Sequence, residues 1–317
     1  MKKLLQIAAV AALACGTEAT AACTRADLAS TVDNYFKALA AHDPKAVPLA
    51  STVRFTENGE PIEPGEGFWK TAGQRVFARS ALDTETCGTV TQAVIEENGR
   101  QILFGVRLKL DGGARISEIE HVIAREKEFA FKPQGVLDTR DQDWEGVLPP
   151  EQRTSRAAMI AAANDYYDMF VAVPEVSVPF ARPCERWENG TKTTKGDCSP
   201  KGLVLVHPER RVPVVDREAG IAVAFVYFNG ALPDFHMFKF RSGHIELAQA
   251  VIGPRGAKST GWPDDKSLSR RVPPPGEKAS PPAGPPPGAT PAAGSPPDKA
   301  NLALRLGVNV AMYAISH

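Results

Sequence analysis

Net charge is the first thing this chain lacks: 37 basic residues balance 37 acidic ones over 317 positions. A nucleic-acid binder needs a basic excess on one face, and no long basic run supplies one, so that class of partner is set aside. No histidine pair has HExxH spacing and no CxxC is present, so no metal site is expected. No GxSxG or Cys/His pair supports nucleophilic catalysis. Gly65-x-Gly67 lacks the third glycine of a dinucleotide fingerprint, and no cofactor is expected. Long apolar runs are missing too. The best, Leu4 to Ala14, is too short to span a bilayer, which takes about 20 residues.

What is there is a repeat. Tyr35, Pro48, Glu57, Asn58 and Gly59 recur as Tyr166, Pro179, Glu188, Asn189 and Gly190, each 131 positions later. Downstream, Leu108-Lys109-Leu110 answers to Phe238-Lys239-Phe240, and Ile116 through Ile123 to Ile245 through Ile252. Solenoid units repeat every 20–50 residues or so, and this period is that of a whole domain. The expected division is residues 1–22, a first module over 23–148, a second over 149–262, a linker over 263–300 and a short apolar segment over 301–317. Twelve of the 27 prolines lie between Pro263 and Lys299. Such a stretch cannot bury enough apolar surface to fold, so a disordered Pro/Gly/Ala-rich tail is expected.

The first 22 residues read as a secretory signal: Lys2-Lys3, then the apolar run, then Ala19-Thr20-Ala21-Ala22 as cleavage site. Ala12-Leu13-Ala14-Cys15 offers a lipoprotein box as the alternative. Either way the chain is expected to be exported, periplasmic or extracellular, with no transmembrane span after cleavage. Removal leaves Cys23, Cys87, Cys184 and Cys198, an even number that suggests two disulfides. The repeat favours Cys23–Cys87 and Cys184–Cys198. The second closes a short loop, worth about 3 kcal/mol in the chain-entropy model.

Each module opens on a helix. In the first, Leu28, Val32, Tyr35, Phe36 and Leu39 form an apolar stripe that His42-Asp43-Pro44 ends; in the second, a helix is expected over 155–171. Strands are expected at 53–56, 89–96, 101–110 and 115–124, with Asn58-Gly59, Asn98-Gly99 and Gly112-Gly113 as turns. Residues 221–228 are apolar at both parities, as in a strand covered on both faces. The two modules are therefore expected to pack sheet against sheet as an intrachain pseudo-dimer.

A helix followed by a hairpinned sheet, twice, resembles the SnoaL-like or nuclear-transport-factor-two-like fold. The words Phe55-Thr56-Glu57-Asn58-Gly59, Gly65-Glu66-Gly67-Phe68-Trp69-Lys70-Thr71, Arg115-Ile116-Ser117-Glu118-Ile119-Glu120, Val212 through Gly220 and Ser259-Thr260-Gly261-Trp262 resemble a family of uncharacterised exported proteins of bacteria and fungi. That family is a domain of unknown function. The resemblance implies an α+β fold of two tandem cone-shaped modules, each with helices packed on a curved antiparallel sheet, and it brings no catalytic residue. Ile245-Glu246-Leu247-Ala248 departs from the family's Glu-Ile-Glu run.

Asp216, following Val212-Pro213-Val214-Val215, is read as entering the cone from a strand end, where burial would raise its pKa and make it a general base. His236 or Tyr166 would then polarise the substrate oxygen. Tyr35, Trp69, Asp83 and His121 are further ligand-binding candidates, and Trp262 is read with Trp69 as a lid or plug. The plainer readings are turn-capping acids, packed histidines and tryptophans that close the open end. Glu57 and Glu188 are rim carboxylates or turn caps, and Asn189-Gly190-Thr191 fits a glycosylation acceptor. His244, His42 and His207 read as hairpin or loop surface. The functional expectation is binding of a small apolar or carbonyl-containing molecule in a cone. The alternatives are a cofactor-free lyase, isomerase or hydrolase with an Asp/His pair, and an envelope interaction protein whose tail is a spacer.

Overall fold

In the computed structural model the first apolar stripe is α1 (Arg25–Ala40), which buries Leu28, Val32, Tyr35, Phe36 and Leu39. Thr24 and Asp27 close a capping box at its start, satisfying N–H groups that a helix end otherwise leaves unpaired. The residues described are 23–112, 114–171, 176–194, 196–199 and 209–262. The expected signal segment with Cys15, Gly113, His207, the proline-rich linker and residues 301–317 lie outside them.

Six strands follow: β1 (Leu49–Glu57), β2 (Glu60–Pro61), β3 (Ala72–Asp83), β4 (Gly88–Glu97), β5 (Arg100–Leu110) and β6 (Ile116–Ala124). A short helix, α2 (Pro133–Leu137), precedes α3 (Arg156–Asp168), which Ser155 caps. The second set is β7 (Phe180–Glu188), β8 (Thr191–Lys192), β9 (Arg210–Asp216), β10 (Ile221–Phe228), β11 (Leu232–Arg241) and β12 (His244–Ile252). The sheets have the same order, β2-β1-β6-β5-β4-β3 and β8-β7-β12-β11-β10-β9. Each therefore repeats the other's topology.

One expectation needs correction here. The sheets are mixed rather than antiparallel, because β1 pairs in parallel with β6 and β7 with β12. Parallel neighbours require a long connection, and here the intervening strands of the meander supply it. Register shifts within β1, β3 and β5 bend the sheet around its helix.

Side-chain parity then builds three large cores and a small fourth cluster of Leu232, Ala250 and Ile252. On one face of the first sheet, Phe55, Phe104, Val106, Ile119 and Ile123 meet α1 and Trp69. On the equivalent face of the second, Ala222, Ala224, Val226, Phe238 and Ala248 meet Met159, Tyr166, Tyr167 and Phe170. The remaining faces meet each other: Ala81, Val90, Val94, Leu103 and Val122 against Val214, Ile221, Val223, Phe225, Phe235, Met237 and Val251. The order is helix, sheet, sheet, helix. Residues 221–228 are covered on both faces, as their composition predicts. At the middle of the seam Gly105 has no side chain, and a Cβ there would overlap the ring of Phe235, which stacks on Phe225 at 5.5 Å.

Cys23 is bonded to Cys87 and Cys184 to Cys198, so each module carries its own disulfide. Two such bonds indicate an oxidising environment. Among the described residues no helix is long and apolar enough to cross a membrane.

Candidate functional site

Strand parity separates the acids and histidines proposed from sequence. On β11, Asp234, His236, Phe238 and Phe240 alternate with Phe235, Met237 and Lys239. His236 and Phe238 face α3 in the second cone, whereas Phe235 and Met237 face the seam. Asp216 pairs across the ladder with Ile221, a seam residue. It therefore stands on the opposite side of the sheet from His236. Its carboxylate accepts from the Leu82 and Ala219 N–H groups, each at 2.9 Å, and pairs with Arg25 at 2.7 Å. The Asp216–His236 mechanism is excluded by this geometry.

Asp83 is corrected in the same way. It takes Val215 N–H at 2.9 Å and Arg156 at 2.7 Å, in the seam rather than in a cone. A cleft of about 230 Å³ beside these two acids is lined by Glu85, Arg153, Arg217 and Glu218. Trp262 is neither a lid nor a plug of a cone. Its ring lies 4.0 Å from the Arg54 guanidinium and 4.5 Å from that of Arg107, and its indole N–H donates to Thr56. Asn189 is fully buried, its amide donating to the Phe129 and Ile252 carbonyls, so the glycosylation reading fails as well.

The first cone does bring Tyr35, Trp69 and His121 together. The Tyr35 hydroxyl is 2.8 Å from His121 Nε2, and the Glu57 carboxylate is 3.7 Å from Nδ1. Four aromatic rings, Tyr35, Phe55, Phe68 and Phe104, surround the imidazole. Burial holds the His121 pKa below 6.5 against the pull of Glu57. Burial pushes Glu57 up, but the hydrogen bond and charge of His121 and the Phe68 N–H outweigh it, leaving this carboxyl below its usual range. Trp69 packs edge-on against Tyr35, wholly buried.

The second cone holds a different set. Tyr166 and Tyr167 come from α3, Arg186 and Glu188 from β7, and Asp234 and His236 from β11. Arg186 donates to the Tyr166 hydroxyl at 3.1 Å and lies 3.5 Å from Glu188. Asp234 Oδ1 is 3.2 Å from His236 Nδ1, near enough for an ion pair but not aligned as a hydrogen bond. The imidazole sits 5.3 Å from the Tyr166 ring, 5.6 Å from Tyr167 and 5.8 Å from Phe238, on which it stacks. Burial raises the Asp234 pKa above its usual value although His236 opposes the shift. Burial likewise raises both tyrosines, which stay protonated as donors. Beside them Arg210 is held by Asn164 and Asp168.

Both Asp234 oxygens, both His236 nitrogens and the Tyr167 hydroxyl are buried without a hydrogen-bond partner among the described residues. Native interiors leave few such atoms, and each calls for an explanation. Asp234 and Arg186 were not among the residues proposed from sequence. The signal that finds them is the repeat itself. Ladder pairs Phe104–Ile123 and Asp234–Ile252 are equivalent, as are Val106–His121 and His236–Ala250. Phe36, Phe55, Phe104 and Val106 thus correspond to Tyr167, Arg186, Asp234 and His236. Four apolar positions of the first cone are polar in the second.

Residues 152–252, within the second module, match the family described as Domain of unknown function (DUF8021). No curated protein matches the chain. Among solved structures, the chain is similar to a protein of unknown function with cystatin-like fold from Methylobium petroleophilum PM1, at 10% identity and a TM-score of 0.29, covering 33% of this chain and 80% of that one. It is also similar to an NTF-2 like protein of unknown function from Burkholderia xenovorans LB400, at 14% identity and a TM-score of 0.26, covering 33% of this chain and 88% of that one. No group of three or more His, Cys, Asp or Glu among the described residues is placed to hold a metal ion.

Proposed function

We propose that the second cone is the working site: it takes a small carbonyl-containing molecule and moves a proton on it without a cofactor. The observation that carries this reading is the set of five buried polar atoms on Tyr167, Asp234 and His236 that have no hydrogen-bond partner among the described residues, two of them facing each other in the 3.2 Å Asp234–His236 contact, at positions where the sister cone has Phe36, Phe104 and Val106. Burying polar groups without hydrogen bonds costs about 1–3 kcal/mol each in proteins, and an occupant that donates and accepts offsets that cost.

The chemistry follows from the arrangement. His236 is the base, with Asp234 at its Nδ1 side stabilising the imidazolium that forms. Tyr167, and Tyr166 with Arg186 donating to its oxygen, are the donors for a developing enolate. Abstraction of a proton α to a carbonyl serves an isomerase or a lyase equally. The apolar-ligand reading is the weaker one for this cone, since its centre is polar. Two concavities lie outside this cone, one at the seam and one along Phe180–Arg182 and Arg241–Glu246.

The test is α-proton exchange in D2O across a panel of small ketones, aldehydes and keto acids, followed by NMR. At least one should exchange faster with the protein, and His236→Gln should slow that exchange about a hundredfold or more. A panel that neither exchanges nor shifts the His236 imidazole resonances would sink the proposal.

A further inference from the structure

The contacts across the seam come in reciprocal pairs. Asp83 of the first module accepts from Val215 N–H and pairs with Arg156 at the start of α3. Asp216 of the second accepts from Leu82 N–H and pairs with Arg25 at the start of α1. Arg25 and Arg156 are themselves 131 positions apart. Of two further arginines one crosses directly, while the other holds its own module's trailing segment against the second sheet. Arg211 on β9 reaches Glu120 on β6, and Arg79 on β3 reaches Thr139 and Gln142, which also hold Gln249 on β12. Each of the two stands near a tryptophan that follows a module, Arg79 by Trp144 and Arg211 by Trp262.

The segments leaving the last strands are exchanged as well. After β6 the chain crosses to the Asn189-Gly190 turn. There Lys132 N–H donates to the Asn189 carbonyl, and Asn189 and Thr191 side chains donate to the Phe129 and Ala130 carbonyls. After β12 the chain crosses to the Asn58-Gly59 turn, where Arg54 donates to the Gly261 carbonyl and Trp262 donates to Thr56. Both turns need glycine for the same two reasons. Gly59 and Gly190 have φ of +84° and +80°, and a Cβ on either would overlap a carbonyl oxygen of the arriving arm, from Ser259 or Lys132.

Contacts in which patch A meets patch B and B meets A are the signature of a two-fold, self-complementary interface. We infer that the seam is an assembly surface whose partner is another module of the same kind, and that its apolar core, reciprocal arms and ion pairs, rather than the connecting peptide, hold the halves together. The chain behaves as a fused dimer. This stands apart from the chemistry of the second cone.

A protease site placed between Gly146 and Val147 in the full chain tests it. Glu145 to Val147 are exposed, while Trp144 and Leu148 are anchored on Lys239 and Glu218. Both disulfides lie within a module, so no covalent tie survives the cut. The cleaved protein should elute at the position of the uncut chain and melt in one transition. Adding Arg25→Ala and Arg156→Ala to the cleaved protein should raise the dissociation constant of the halves about tenfold or more, and an unchanged constant would count against the ion pairs. Halves that part on cleavage alone would overturn the inference. Should the inserted site prevent folding, hydrogen exchange on the unaltered chain decides. Leu82 and Val215 amides are expected in the slowest class, and exchange as fast as the Asn98-Gly99 hairpin would overturn it.

Discussion

The two cones share topology, a helix-borne tyrosine and a strand-end glutamate, and differ at their centres. In the first, Phe36, Phe55, Phe104 and Val106 leave a single imidazole with Tyr35 and Glu57 as its polar company. In the second, tyrosine, arginine, aspartate and histidine stand in the same four places, and five of their atoms have no hydrogen-bond partner among the described residues, against Trp69 Nε1 and His121 Nδ1 in the first. The same fold thus carries one largely apolar interior and one with more buried polar groups. Function is argued from such a site rather than from the fold that both copies share.

Making the first cone resemble the second should have the largest effect. Phe104→Asp removes a ring that contacts Phe36, Phe68 and His121 and buries a carboxylate in its place. The expected loss is about 5 kcal/mol in a urea titration, or no folded protein at all. A near-neutral result would mean that the first cone accepts charge and that the contrast is superficial. The reverse exchange, Asp234→Leu with His236→Val, should stabilise the protein by about 1–4 kcal/mol while abolishing proton exchange. If the double variant is less stable than the parent, the pair belongs to the framework rather than to a site.

Smaller effects probe the surroundings. Arg25→Ala leaves Asp216 two backbone donors but no cation, and should cost about 2 kcal/mol, allowing for the partial exposure of the arginine. Unchanged stability would show that the seam does not depend on this ion pair. The pH response should be smallest and of opposite sign in the two cones. His121 titrates lower when folded, so the unfolded chain binds more protons as pH falls below 6.5, and stability declines on acidification. Asp234 titrates higher when folded, so stability rises as pH falls through its raised pKa toward 3.8 and levels off below that. Each slope is bounded by about 1.4 kcal/mol per pH unit. Unfolding curves of His121→Phe and Asp234→Asn should each remove one of the two limbs; identical pH profiles in both variants would contradict the assignment.

Much of the architecture was legible because it rests on local pattern. The stripe from Leu28 to Leu39 gave α1, alternation from Ile102 to Leu110 gave β5, and the doubly apolar run at 221–228 implied a covered strand. The repeat also favoured the cysteine pairs. The strand β3 escaped because Gly73, Gln74, Arg75 and Ser80 interrupt its alternation, and two register shifts break its period. The site was less legible for a sharper reason. Asp216 and His236 both lie in strands with apolar neighbours, and only the ladder reveals that they face opposite ways. A single offset of 131 also hides Asp234, since turns of different length move β11 to 130 and β12 to 129 relative to the first copy. The register, rather than the composition, separates a seam acid from a cone acid.

The crossing of the second arm has a mechanical side. Gly261 and Trp262 are docked on the first module, although they follow the last strand of the second. Tension on that end would be borne first by the Trp262 stack on Arg54 and Arg107 and by the Gly261 carbonyl. Those contacts would peel one by one from Trp262 back toward Ser259, before any load reached the hydrogen bonds of β12.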